Sequence, residues 1–330
     1  MSRDNNMHIN SVLEREGRAL PDNYNDYDFS GMDMTGLSAK HLALNKANFD
    51  GADLSNVDLE AAVFTGVSLR GANLSGANLK WVEFSDCDLD GADLTGTNLE
   101  EATLDKVSFD NCTVVNTNFE FSKFKEVKMR GVQAVSANFF HVDLFESRFT
   151  GVARKKGGGL SARSSFKKCN FESAIFTRTS LQDLSCNGSN FKSAILPYAN
   201  LQGTILDDCD LRKATVMHAN MTGAGLTNAN LSGLKMALAS LAGTILDGAD
   251  FTGASLINAD LYQADCRKTD FTEANLKGAN FEHSDIRGAI FDKSKVNGTF
   301  FSNVQMDNDA VNKYRLIGAS FEHINETDDA

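Results

Sequence analysis

GANLSGANLK, residues 71–80, is two copies of one five-residue word, and the word continues in both directions. A large apolar residue or, rarely, a small one falls at every fifth position from Phe29 to Phe149, through Met34, Ala39, Leu44, Phe49, Leu54, Leu59, Phe64, Leu69, Leu74 and Leu79. From Phe49 on, two residues before each stands a small or β-branched one: Ala47, Ala52, Val57, Ala62, Val67, Ala72, Ala77, Val82, Cys87, Ala92. A second run keeps the same step from Phe166 to Met306. Five is neither the strand period of 2 nor the helix period of 3.6, and a fixed short period held this long predicts a solenoid.

The two marked positions lie two residues apart, so in extended backbone they point the same way, into an interior. The residue between them points outward and is usually Asn, Asp, Ser or Thr; the two residues after the centre turn a corner. The second residue after the centre reads Gly31, Gly51, Gly71, Gly91, Asn111, Gly131, Gly151 at steps of twenty, and the adjacent column reads Gly36, Asn56, Gly76, Gly96, Asn116. Gly and Asn tolerate positive φ, so two corners of a four-sided coil are expected to need it. A third column reads His41, Ala61, Trp81, Glu101, Phe121, His141 and is expected to use a different turn.

GANLSGANLK, DGADLTGTNLE, NANLSGLKM, TGASLINADLYQADC and TEANLKGANFE are variants of A-(D/N)-(L/F)-x-x, and the chain resembles the pentapeptide-repeat proteins. The resemblance implies an all-β fold: a right-handed quadrilateral parallel β-helix. The two runs hold 54 centres, about 13–14 coils at four pentads per coil, a rod on the order of 65 Å long. Expected boundaries are an N-terminal cap segment at 1–24, a pentapeptide-repeat β-helix at 25–306 and a C-terminal cap with an acidic tail at 307–330. Ser11-Val12-Leu13-Glu14 reads as a capping box opening a short N-terminal helix. Phe149 and Phe166 are 17 residues apart, which places residues 152–163, VARKKGGGLSAR, in a loop thrown out of the coil.

The formal charge is −12 over 330 residues. An acidic surface disfavours nucleic acid and anionic membrane as partners, and no apolar run is long enough to span a bilayer. The first twenty residues lack the apolar core of a secretory signal. Cys87, Cys112, Cys169, Cys186, Cys209 and Cys266 all fall on inward positions, so they read as packing residues of a reduced, cytoplasmic protein. Secretion by a non-classical route is the alternative. His41, His141, His218, His283 and His323 occupy corner positions and do not converge, so neither a metal, a cofactor nor a catalytic set is expected.

Two charged features stand out. Arg154, Lys155, Lys156 and Arg163, with Lys167 and Lys168, place six cations within residues 152–168 and no acid. They read as a basic finger for a partner, or as a tolerated surface insertion. Residues 83–110 hold nine acids, among them Glu83, Asp86, Asp88, Asp90 and Asp93, against Lys106 alone. They read as a mimic of a DNA backbone, or as acids that supply solubility. Ile175 with Ile195 and Tyr198, and Trp81 with Phe121, are exposed apolar candidates for a partner or dimer surface. The resemblance implies a non-catalytic protein-binding rod, an acidic DNA mimic that binds and modulates or protects a type II topoisomerase, DNA gyrase above all. A homodimer through the C-terminal end belongs to the same reading. The alternative is a scaffold or secreted effector displaying an interaction surface to a host or phage partner.

Overall fold

The computed structural model describes residues 26–147, 149, 164–176 and 179–307, with the backbone of 320–322 and 325–327. The N-terminal helix and the residues 152–163 fall outside this set. The chain divides into two compact units, Met1–Asn170 and Phe171–Ala330.

In the first unit, three-residue strands recur with the coil. They are β1 (Ala43–Asn45), β2 (Val63–Thr65), β3 (Glu83–Ser85), β4 (Thr103–Asp105), β5 (Thr113–Val115), β6 (Lys123–Lys125), β7 (Gln133–Val135), β8 (Asp143–Phe145) and β9 (Ser165–Lys167). β1-β2-β3-β4-β6-β8 form one parallel sheet and β5-β7-β9 another. Partners are twenty residues apart, as in Leu44↔Phe64 and Phe64↔Phe84. The other faces are rows of single bridges, Asp28↔Asn48, Asn48↔Ser68 and Ser68↔Asp88 among them. At the β7–β9 step the register is instead Ala134↔Phe166, and Asn138 pairs Asn170. This 32-residue interval is one coil plus twelve residues. The second unit repeats the twenty-residue rows, as in Ile195↔Thr215↔Lys235 and Asp210↔Asn230↔Asp250. It ends in β10 (Phe300–Ser302) paired with β12 (Ser320–Glu322) and β11 (Gln305–Asp307) paired with β13 (Asn325–Thr327).

Both inward columns are buried as their spacing predicts, with Ala77, Leu79, Ala92, Leu94, Phe251 and Leu256 at 1% exposure or less. Centres a coil apart stack: Phe119 on Phe139 at 4.8 Å, and Phe251, Phe271 and Phe291 at 5.2 and 5.1 Å. Each such aromatic pair adds about 0.5–1.5 kcal/mol beyond burial. Where the small inward position holds a hydroxyl, the group is satisfied by a carbonyl one coil back. Thr97, Thr117 and Thr204 donate to Leu74, Leu94 and Leu181, each at 2.7 Å.

The corners correct the sequence expectation. His41, Ala61, Trp81, Glu101, Phe121 and His141 have φ between 53° and 61°, the same left-handed conformation as Gly71 at 62°. Ala61 also sits in the same turn: Ala62 N donates to Leu59 O at 3.0 Å, as Ala72 N does to Leu69 O at 3.1 Å. Positive φ at the third residue with this bond is the type II pattern. The corner amide is claimed by the next coil, Ala61 N to Lys80 O at 2.8 Å and Trp81 N to Glu100 O at 3.0 Å. The ladder therefore sets the backbone, and side-chain preference yields. The corner that does differ follows β1, β2 and β3, where Lys46, Gly66 and Asp86 keep positive φ without that turn bond.

Candidate partner-binding surfaces

The outward position is where Asp and Asn recur, and its first task is structural. Asp53 Oδ1 accepts from Ser55 N at 3.0 Å, and Asp93 Oδ1 accepts from Thr95 N at 2.9 Å, which fixes the start of the next corner. Asn side chains tie coil to coil: Asn73 Nδ2 donates to Asp53 at 3.0 Å, Asn78 to Asp58 at 3.0 Å and Asn138 to Asn118 at 3.0 Å. Alternating Asn with Asp along a row thus links carboxylates that would otherwise repel. The sequence reading weighed DNA mimicry against solubility for the acids of residues 83–110 and missed the ladder, whose signal was the twenty-residue recurrence of Asp and Asn.

The five candidate acids do not share a face. Glu83 points outward from β3, Asp86 lies on the following corner, Asp88 on the next face, Asp90 on its corner and Asp93 on a third face. Residues consecutive in sequence encircle the coil, so the acids form a girdle rather than a stripe. Residues 81–120 hold ten acids and Lys106, a net −9, while 61–80 carry only Arg70 and Lys80, and 121–140 are net +3. Those flanking cations reach back into the girdle. Arg70 pairs with Asp88 at 2.7 Å, Lys80 with Glu100 at 2.8 Å and Lys125 with Asp105 at 3.3 Å; Arg130 pairs with the buried carboxylate of Asp110.

Burial holds the Asp90 carboxyl above its ordinary range, against the Ser108 hydroxyl that donates to it, and the nearby charges of Asp88 and Asp110 push the same way. One oxygen of Asp105 is buried without a hydrogen-bond partner. Trp81, 45% exposed, stands beside the girdle with Lys80 Nζ 4.6 Å from its ring centre.

The basic candidates Arg154, Lys155, Lys156 and Arg163 lie outside the described residues. In the second unit, Ile175 and Ile195 are bridge partners on one face, as their spacing predicts. At the corner after that face, Tyr198 (72% exposed) stacks on His218 with ring centres 5.0 Å apart, and Met217 and Leu238 are exposed as well.

A cavity of the first unit is apolar. Its volume is about 30 Å³, a single water's worth, and it is lined by Phe29, Met34, Leu42, Phe49, Phe64 and other apolar side chains. The six cysteines are buried and none is in a disulfide, and burial pushes the Cys87 thiol up to about 11 and Cys169 and Cys209 to about 12. Among the described residues no three His, Cys, Asp or Glu side chains gather as a metal would require, and no helix is long and apolar enough to cross a membrane.

Comparison with known proteins agrees with the repeat. A family model described as pentapeptide repeats (8 copies) matches residues 43–80, 185–223, 194–233, 235–265 and 264–303; one described as a pentapeptide repeat region matches residues 71–139. Curated protein sequences yield no match. Among solved structures, HetL is a pentapeptide repeat protein involved in heterocyst differentiation regulation, from the cyanobacterium Nostoc sp. strain PCC 7120. It is 22% identical over 91% of this chain and 96% of its own, with a TM-score of 0.22. QnrB1, a plasmid-mediated fluoroquinolone resistance protein, is 18% identical over 72% of this chain and 92% of its own, at 0.23. Rfr23, from the cyanobacterium Cyanothece 51142, is 22% identical over 38% and 88%, at 0.26. The matched repeats span most of residues 43–303 and contain the inward and corner columns that build the coils: the chain belongs to the pentapeptide-repeat proteins.

Proposed function

We propose that this protein is a non-catalytic binding protein whose acidic girdle enters a basic groove that ordinarily holds a DNA backbone. A type II topoisomerase, DNA gyrase above all, is the partner that the family resemblance suggests. The observation that carries the reading is charge density. Two coils at the strand spacing advance about 10 Å, over which B-DNA carries about six charges; residues 81–120 carry a net −9. The coils on either side are net positive, so the mimicry is confined to about three base-pair steps. It would occupy one segment of a DNA-binding groove rather than its whole length. Glu83, Asp86, Asp88, Asp90 and Asp93 supply half of the girdle's acids, and Arg154, Lys155, Lys156 and Arg163 are proposed to touch the same enzyme away from its groove.

The test is a supercoiling assay with purified gyrase and the full chain, alongside drug-induced cleavage and direct binding. Reversing Glu83 and Glu101 to Lys is expected to abolish the effect, and raising salt to weaken it. A chain that changes neither supercoiling nor cleavage and does not bind the enzyme would remove the topoisomerase reading. The second reading, a scaffold for another protein, draws on the exposed apolar face of the second unit.

A further inference from the structure

The outward face at Ile195, Thr215 and Lys235 is unlike the rest of this acidic chain. Counting the face and its two corners, residues 192–198, 212–218 and 232–238 contain Lys192, Arg212, Lys213 and Lys235 and not one acid. Lys192 is paired with Glu172 at 3.2 Å and Arg212 with Asp210 at 2.6 Å; among the described residues Lys213 and Lys235 have no ion pair, and both are exposed. Beside these cations run Ile195, Tyr198, Met217, His218 and Leu238, an exposed apolar edge on the same three coils.

A surface of the first unit has the opposite sign. Residues 60–66, 80–86 and 100–106, again one face and two corners over three coils, hold six acids and two lysines, a net −4 against +4. Glu60, Glu100 and Asp105 are engaged by Lys40, Lys80 and Lys125; Glu83 and Asp86 have no ion pair among the described residues. Val63 and Trp81 are the exposed apolar side chains there. Both surfaces are ruled by the same coil spacing of about 4.8 Å, so successive rows of charge on one can meet successive rows on the other without mismatch. Each surface also carries apolar groups that water covers poorly.

We infer that this chain self-associates, the Glu83–Asp86 face of the first unit in one copy docking on the Lys213–Lys235 face of the second unit in another. Trp81 and Val63 then lie against Ile195, Tyr198 and Leu238, and each unpaired acid finds an unpaired lysine. Three coils of a single face are small beside a stable protein interface, so the association is weak, concentration-dependent and sensitive to salt. The two patches differ, so the contact is heterologous. It stands apart from the proposed function: a chain with no effect on gyrase would leave it untouched.

Sedimentation equilibrium of the full chain, from about 5 to 500 µM, tests it. The mass should rise above 35.8 kDa with concentration and return toward it in high salt. The double variants K213E/K235E and E83K/D86K should each associate at least about tenfold more weakly. Both are compatible with the fold: Lys46 and Lys106 occupy the corner column of Asp86, and Glu273 that of Lys213. An equimolar mixture of the two variants restores opposite charges at both patches and should regain association. That recovery separates lost contact from lost folding. A monomer throughout the range, association unaffected by either variant (as pairing through the C-terminal end would be), or no recovery in the mixture would each overturn the inference.

Discussion

Replacing Ala61 by glycine should stabilise the protein, which reverses the usual effect of that substitution. Ala61 has φ +56°, held there because its amide donates to Lys80 O at 2.8 Å and Ala62 N closes the turn on Leu59 O at 3.0 Å. An L-residue in this conformation costs about 1–2 kcal/mol, which glycine relieves. Glycine also widens the unfolded ensemble, at a cost of about 0.4–1 kcal/mol. The difference is a gain of about 0–1.6 kcal/mol, centred near 0.8. Gly51 supplies the reciprocal case. Its φ is +65° and an added Cβ would meet nothing within 4 Å, so Gly51→Ala is a purely conformational change expected to destabilise by a similar amount. Urea denaturation of the two variants reads the sign. Native-state hydrogen exchange at the amides of residues 41–80 locates it, because a solenoid opens locally through neighbouring coils. Loss of about 1 kcal/mol on Ala61→Gly, the cost at an ordinary helical position, would refute the left-handed corner.

Ala77→Leu puts an isobutyl group at a position 1% exposed and should cost about 1–3 kcal/mol in denaturant titration; an unchanged midpoint would deny the inward column. Burial raises the Asp90 carboxyl, so the folded state holds that proton more tightly than the unfolded one. Its ionisation penalty is present above the raised folded pKa and vanishes below the unfolded value of about 3.9. Asp90→Asn should therefore stabilise at neutral pH, with the difference from the parent closing as pH falls through that window; a difference that widens on acidification would contradict this. Because burial raises the thiols of Cys87, Cys169 and Cys209, none should react with a thiol reagent at mildly alkaline pH until the chain is unfolded. Rapid labelling of any of these three in the native protein would show that the interior is open.

The interior was legible because two independent periods constrain it. The two-residue spacing of Ala77 and Leu79 sets direction within a strand, and the twenty-residue spacing of Phe251, Phe271 and Phe291 sets the stack; both appear directly in the letters. The corners were half legible. Gly71 and Asn56 announce positive φ, but Trp81 and Phe121 do not, because their preference for ordinary backbone is worth less than the coil-to-coil bonds their amides make. The surface was least legible. Glu83 through Asp93 look like one acidic stretch in the sequence, yet the winding carries them across three faces, and the neighbours that matter to Asp88 and Asp110 are Arg70 and Arg130, eighteen and twenty residues away. Nor did the run from Lys192 to Leu238 appear as a basic face, since its cations are spread over 44 residues and only coincide once the coil is formed.

The corner that differs has an evolutionary corollary. Because the bend at Lys46, Gly66 and Asp86 lacks the turn bond of the other bends, excising one five-residue word inside residues 43–143 would set unlike bends on top of one another. Excising four words returns every bend to a neighbour of its own kind, on a stack one layer shorter. Lineages built this way can change reach in whole layers without inventing a new interior.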